Sequence, residues 1–318
     1  MQGLNESSSR AGLPRARHCE CGQSTVKDMA LRTIDNGTLR ASIDDDGAEL
    51  SGLRDQMGRE LLWQGESVWL RRAPILFPIV GQMPGGVLRH NGEEYPIGQH
   101  GFVRDQRFEA SEQSETSVLF TLVDSAESRL HFPFGFRLEV RYTVTGATLT
   151  VLTTVSNTDV VAFSASLGEH PGFAWPLVPG VPREAHTIEF AEEEPEPIRR
   201  IAGGLLLPQA LPTPVVGRTL ALADSLFVDD AIIFDRPASR TVRYSAPGAP
   251  SLTISFPDFP QLGVWSKAPG HFVCIEPWFG ITAPQGFAGD YTTKPHQFVL
   301  EPGAARGFAY SVTVQQPE

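Results

Sequence analysis

Cysteine is scarce: there are three in 318 residues, at positions 19, 21 and 274. An odd, low count gives no disulfide framework and suits a reducing cytosol, so a cytoplasmic location is expected. His18-Cys19-Glu20-Cys21 spaces its cysteines more tightly than zinc sites do. No second Cys/His pair completes that cluster, and no metal is expected there. Positive charge is also short, with 26 Lys and Arg against 37 Asp and Glu and a net charge of −11. A nucleic acid or an anionic membrane surface needs a basic face, so neither is an expected partner. Long apolar runs are missing. The longest, Ala73 to Val80, carries Pro74 and Pro78 and is far too short to cross a bilayer. Met1 to Lys27 is polar, without the apolar segment of a secretory signal. A P-loop, a Gly-rich dinucleotide fingerprint and a serine elbow are all absent. A Ser–His–Asp hydrolase is not excluded, but nothing points to its serine.

Helical periodicity is equally sparse. What is present is alternation. Phe136 to Val144 alternates apolar and polar residues throughout, as a strand does with one face in a core and one in water. Thr38–Ile43 and Ala48–Leu53 alternate on either side of an Asp44–Gly47 turn, which reads as an opening meander. Further strands are expected at 117–123, 149–155, 241–244, 252–256, 263–265, 272–275, 297–300 and 308–314. Single helical turns are expected only in short pieces, at 208–211 and 225–228. The 26 prolines and 30 glycines are spread along the chain and mark no linker. No fixed-length repeat argues for a propeller. The fold class expected is therefore all-β, a large antiparallel β-sandwich over residues 31–318, preceded by a disordered or loosely attached extension at 1–30. A monomer or a homodimer is compatible with this reading.

Polar chemistry collects in four stretches. Gly168-Glu169-His170-Pro171-Gly172-Phe173-Ala174-Trp175-Pro176 sets an imidazole among prolines and aromatics. The prolines make it poor as a helix and awkward as a central strand, so a rigid loop at a strand end is expected. His170 either handles a proton, as a group titrating near neutrality can, or is a buried histidine bonded to backbone. Val273-Cys274-Ile275-Glu276-Pro277-Trp278-Phe279 ends an apolar run in a carboxylate. A carboxylate embedded that way tends towards a raised pKa and suits a general base, or it pairs with an arginine. Gly98-Gln99-His100-Gly101 lets backbone approach a ligand around His100; a turn histidine without a role is the alternative. Trp69-Leu70-Arg71-Arg72 leads into the proline-fixed segment. There Arg71 is the binding candidate, its forked donors suited to hydroxyls, and Arg72 reads as surface. Arg104 and Asp105 read as a structural ion pair.

These strings, in this order, resemble the aldose 1-epimerase (galactose mutarotase-like) family, and within it the LacX-like branch. The resemblance rests on Gly47–Leu50, Ala73–Gly81, Gln99–Asp105, Gly168–Phe173, Asp229–Phe234 and Cys274–Gly280, and runs from about Ile34 to Val314. It implies a β-supersandwich with a sugar pocket on one concave sheet. It implies interconversion of the α and β anomers of a free aldohexose, a monosaccharide substrate, no cofactor and no metal. His170 matches the family's catalytic acid, Glu276 its base and His100 its binding histidine. Arg71 and Asp230 match its sugar-binding arginine and aspartate, with Asp229 the alternative, and Trp278 or Phe279 would supply an apolar wall. One departure stands out: the branch generally carries arginine directly after Gly81, where this chain has Gln82.

Overall fold

The computed structural model describes residues 31–317; His18, Cys19, Cys21 and the expected extension lie outside them. Strands dominate, with only short 3-10 turns between them. A nine-stranded antiparallel sheet runs through Thr241–Ser245, Ser251–Ser255, Ala305–Gln315, Thr148–Asn157, Phe136–Thr145 and Ser117–Val123 at its centre. A second antiparallel sheet carries, in neighbouring order, Ile232–Phe234, Gln261–Trp265, Phe272–Phe279, Leu167–Glu169 and Ile75–Leu76, with Gly172–Ala174 also on Phe272–Phe279. A three-stranded sheet from Leu31–Asp35, Leu39–Asp44 and Leu50–Asp55 opens the chain as a meander.

One continuous core joins the two large sheets. Val151, Ile254 and Phe308 of the first meet Ile232, Val264 and Ile275 of the second. Alternation explains the first sheet. Phe136, Leu138, Val140 and Tyr142 are buried, and the residues between them are half-exposed. The second sheet is different, because Phe272–Phe279 is buried at seven of its eight positions. Val273 and Ile275 face the inter-sheet core. Cys274, Glu276 and Trp278 fall on the opposite face by the two-residue period, and that face is covered as well. Loops from the start of the chain roof it over, and this second covered face holds the site.

Two local expectations need correction. Residues 208–211 form no helical turn; they end the strand Leu205–Leu211. The rigid loop expected around His170 is only His170 and Pro171, at the end of one strand and the start of another. Leu167–Glu169 and Gly172–Ala174 are both strands, and both pair antiparallel with Phe272–Phe279. Pro171 and Pro277 have no N–H to give to this ladder, while the Pro171 carbonyl still accepts from Ile275 N at 3.2 Å. The expected turn at 225–228 is present as the 3-10 turn Asp224–Phe227.

Candidate active site

The register across that interruption is what makes a site. Gly168 stands opposite Trp278 and Gly172 opposite Cys274. Counting inward from both ends puts His170 opposite Glu276, and their side chains on one face. His170 Nε2 lies 3.1 Å from Glu276 Oε2, close enough for an ion pair but not aligned as a hydrogen bond. The two are cross-strand neighbours. On the other side Glu276 pairs with Gly263.

Glycines make room for the aromatic wall. A Cβ on Gly263 would sit 2.4 Å from the Trp278 ring, and one on Gly168 2.7 Å from it. The Trp278 indole therefore lies flat over bare backbone. At Gly172 a Cβ would come within 2.6 Å of Trp69. Trp69 stacks at a tilt on His170, with ring centroids 5.0 Å apart, and Trp265 meets the same imidazole edge-on at 5.8 Å. The result is a cleft of about 560 Å³. His170, Glu276, His100, Arg71, Asp230 and Trp278 all line it. A site of this size and mixed lining suits a small polar ligand.

His100 is held by reciprocal bonds. Its backbone N–H donates to Gly81 O at 2.7 Å, and Gly81 N–H donates to its Nδ1 at 3.1 Å. With Nδ1 accepting, the proton of the neutral ring sits on Nε2. The clamp requires a positive φ, 65° at His100. The His100 and His170 rings stand perpendicular, 5.7 Å apart.

Arg71 is an anchored cation. It pairs with Asp105, lies 3.7 Å from Glu49 Oε2, and donates to Arg104 O at 3.1 Å. Glu49 is fixed in turn by the backbone N–H of Ala73 at 3.0 Å. Arg104 and Asp105 stand within ion-pair range, Nε to Oδ2 at 4.0 Å, as expected. Asp105 also pairs with Arg71, and Arg104 lines the cleft with a buried Nε that makes no hydrogen bond. Asp230, also at positive φ, accepts from Ala231 N at 2.8 Å and lies on the cleft wall. Asp229 does not line it.

Trp69, Trp265 and Arg104 are among the lining residues that sequence reasoning missed. Trp265 shares a strand face with Gly263, but only the register shows that this is Glu276's face. Phe279 falls on the other face, beneath the Arg306 guanidinium at 4.5 Å. Gln82 is not among the lining residues. Its amide rests where a Cβ on Gly204 would be, 2.1 Å away, so the departure from the branch pattern sits beside the rim. Arg72 does not line the cleft, in keeping with its reading from sequence.

Burial governs the electrostatics. It pushes the Glu276 carboxyl well above the usual range; Asp230 adds to the shift and the Trp278 indole N–H opposes it. Burial lowers His170 to about 3, and the Arg104 and Arg71 charges act in the same direction. His100 is likewise held well below the ordinary value, by burial first and then by the His170 and arginine charges. Glu276 Oε2, His170 Nδ1 and Trp278 Nε1 are buried without a hydrogen-bond partner. Buried polar atoms of that kind are costly unless a ligand answers them.

Comparison with known proteins bears on the family and the fold. The aldose 1-epimerase family profile matches residues 30–312. The chain belongs to the aldose 1-epimerase family. The plasmid and chromosomal LacX proteins of Lactococcus lactis subsp. lactis are each 33% identical to it over 282 residues, covering 84% of this chain and 94% of theirs. A galactose mutarotase related enzyme of Lactobacillus acidophilus superposes with a TM-score of 0.85 at 30% identity, covering 90% of this chain and 98% of that one. A galactose mutarotase-like protein of Lactobacillus casei ATCC 334 gives 0.83 at 30% identity, covering 90% and 100%. The galactose mutarotase-like all-β fold of this family member is thus common to solved relatives.

Proposed function

We propose that this family member is an aldose 1-epimerase acting on a free aldohexose. The observation that carries the reading is the in-register pair of His170 and Glu276 on the floor of a cleft walled by Trp69, Trp265 and Trp278. Aromatic faces suit the C–H face of a sugar ring. In the proposed cycle Glu276 takes the proton from the C1 hydroxyl and protonated His170 donates to the ring oxygen. The ring opens to the aldehyde, and rotation about C1–C2 presents the other carbonyl face. Reclosure reverses both transfers and yields the other anomer.

The pair is poised for both halves. Burial opposes charge on each member, so the sugar-free pair favours a protonated Glu276 beside a neutral His170. The open-chain stage needs that arrangement. The cyclic stage uses its charged counterpart, and the same burial makes that carboxylate a stronger base and that imidazolium a stronger acid. Each participant contributes on the order of 10²–10⁴-fold by proton transfer. His100 and Arg71 would hold the ring oxygen and hydroxyls, and Asp230 the distal hydroxyls. A cytoplasmic monosaccharide enzyme needs no membrane contact, and among the described residues no helix is long and apolar enough to cross one.

A phosphorylated hexose would need free basic groups at the mouth of the cleft. Arg71 is already matched by Asp105 and Glu49, and Arg89 is paired with Glu94 on a hairpin. This favours the free sugar. The test is polarimetry of anomer exchange on glucose, galactose, xylose and glucose 6-phosphate. Glu276→Gln should bring exchange close to the uncatalysed rate with the fold intact, and His170→Ala should act likewise. Full activity in Glu276→Gln would defeat the mechanism. Sugar binding without exchange in the wild type would make the protein a carbohydrate-binding module instead.

A further inference from the structure

Cys274 is the one buried chemical group on the site's face that anomer exchange does not use. It is two residues from Glu276 on the same strand, so both side chains project to the same side. Its cross-strand neighbour is Gly172, where a Cβ would lie 3.4 Å from Sγ and where the Trp69 ring fills the space of the missing side chain. A thiol, an imidazole and a carboxylate therefore converge, with ligand atoms of Cys274, His170 and Glu276 all within 4.8 Å of one another.

We propose that these three side chains form a binding site for a thiophilic divalent cation, zinc or cadmium, that competes with the sugar. Sulfur, nitrogen and oxygen ligands around zinc stand roughly 3.3–3.8 Å apart in a tetrahedron, so closure requires movements of about an ångström or less. Independent support comes from unanswered atoms. His170 Nδ1 and Glu276 Oε2 are buried without a partner, and the two residues are only 7% and 1% exposed.

Charge supports the same assignment. A thiolate and a carboxylate together neutralise a divalent ion, and a neutral imidazole completes the set. Binding would release the Cys274 thiol proton, and the proton held between Glu276 and His170, to solvent. The Arg71 and Arg104 charges oppose a cation here, but Arg71 is already countered by Asp105 and Glu49. Ligand softness then selects the metal: sulfur and imidazole favour zinc and cadmium over magnesium or calcium.

The test uses the full chain carrying Cys19→Ser and Cys21→Ser, which leaves Cys274 as the sole thiol. Cadmium titration should raise the ultraviolet charge-transfer band of a metal–thiolate bond, saturating at one equivalent. His170→Ala and Glu276→Gln in that background should each weaken binding by about tenfold or more, and glucose should displace the ion. Absence of the band at saturating cadmium, or unchanged affinity in His170→Ala, would overturn the proposal. The band is read without any reaction, so its failure is distinct from failure of the catalytic reading. The inhibition arm does rest on that reading: zinc should slow anomer exchange in the wild type and leave Cys274→Ser, otherwise equally active, unaffected. Equal inhibition of Cys274→Ser would also overturn it.

Discussion

Glu169 precedes His170, yet its side chain points the other way. It lies between the two large sheets, 2% exposed, where Thr153 of the opposite sheet donates to its Oε1 at 2.9 Å. Burial raises its pKa from 4.5 to about 8, with the Thr153 bond opposing. An acid whose folded pKa lies above its unfolded value keeps its proton in the native state while the unfolded chain loses it. Between 4.5 and about 8 the native state thus binds more protons, and stability falls as pH rises through that window. At 1.36 kcal/mol per pH unit, the interval costs about 5 kcal/mol, a large part of the roughly 5–15 kcal/mol typical of a domain. Glu169→Gln keeps the shape and the acceptor for Thr153 but cannot ionise. Its extra amide hydrogens carry a cost that does not vary with pH. Urea denaturation followed by tryptophan fluorescence, at steps from pH 4.5 to pH 8, should show the variant gaining on the wild type by several kcal/mol. Parallel stability curves for the two proteins would refute the reasoning, because Glu169 would then titrate as it does when unfolded.

Lys294 should behave in the opposite sense. It is 3% exposed, donates to Ile281 O at 2.6 Å, and burial lowers its pKa from 10.5 to about 7. The unfolded chain binds the extra proton between those values, so stability rises with pH there; Lys294→Met should remove that rise in a urea series run from pH 7 to pH 10.5. Gly172→Ala would drive a methyl into Trp69 and displace it from His170. Exchange should fall by about 100-fold with the fold retained, and an unchanged rate by polarimetry would strip Trp69 of its part in the site. Asp230→Asn, tolerated at that positive φ, should lower kcat/KM about tenfold or more through KM, as loss of a charge-assisted hydrogen bond does. Asp229→Asn should leave both constants near wild type.

Much of this molecule was written locally. Alternation along Phe136–Thr145 and Thr148–Asn157 marks strands without reference to any neighbour, because one face meets the core and the other water. The short acidic turns, the scattered prolines and the lack of helical period leave little but an antiparallel β architecture. The strings around His170, Glu276 and His100 also identify their chemistry, since few residue types can trade protons near neutrality. Local pattern could not reveal that Phe272–Phe279 is covered on both faces, for an unbroken apolar run has no period to read. Nor could it choose between a loop and two strands around Pro171. Pairing decided that, and pairing involves residues about a hundred positions apart. The register that sets His170 against Glu276, the glycines that let Trp278 and Trp69 lie flat, and the ion pair that brings Asp105 to Arg71 all depend on such distant partners. Identity of the candidate groups is a property of residues; their distance and burial are properties of the packed sheets that bring them together.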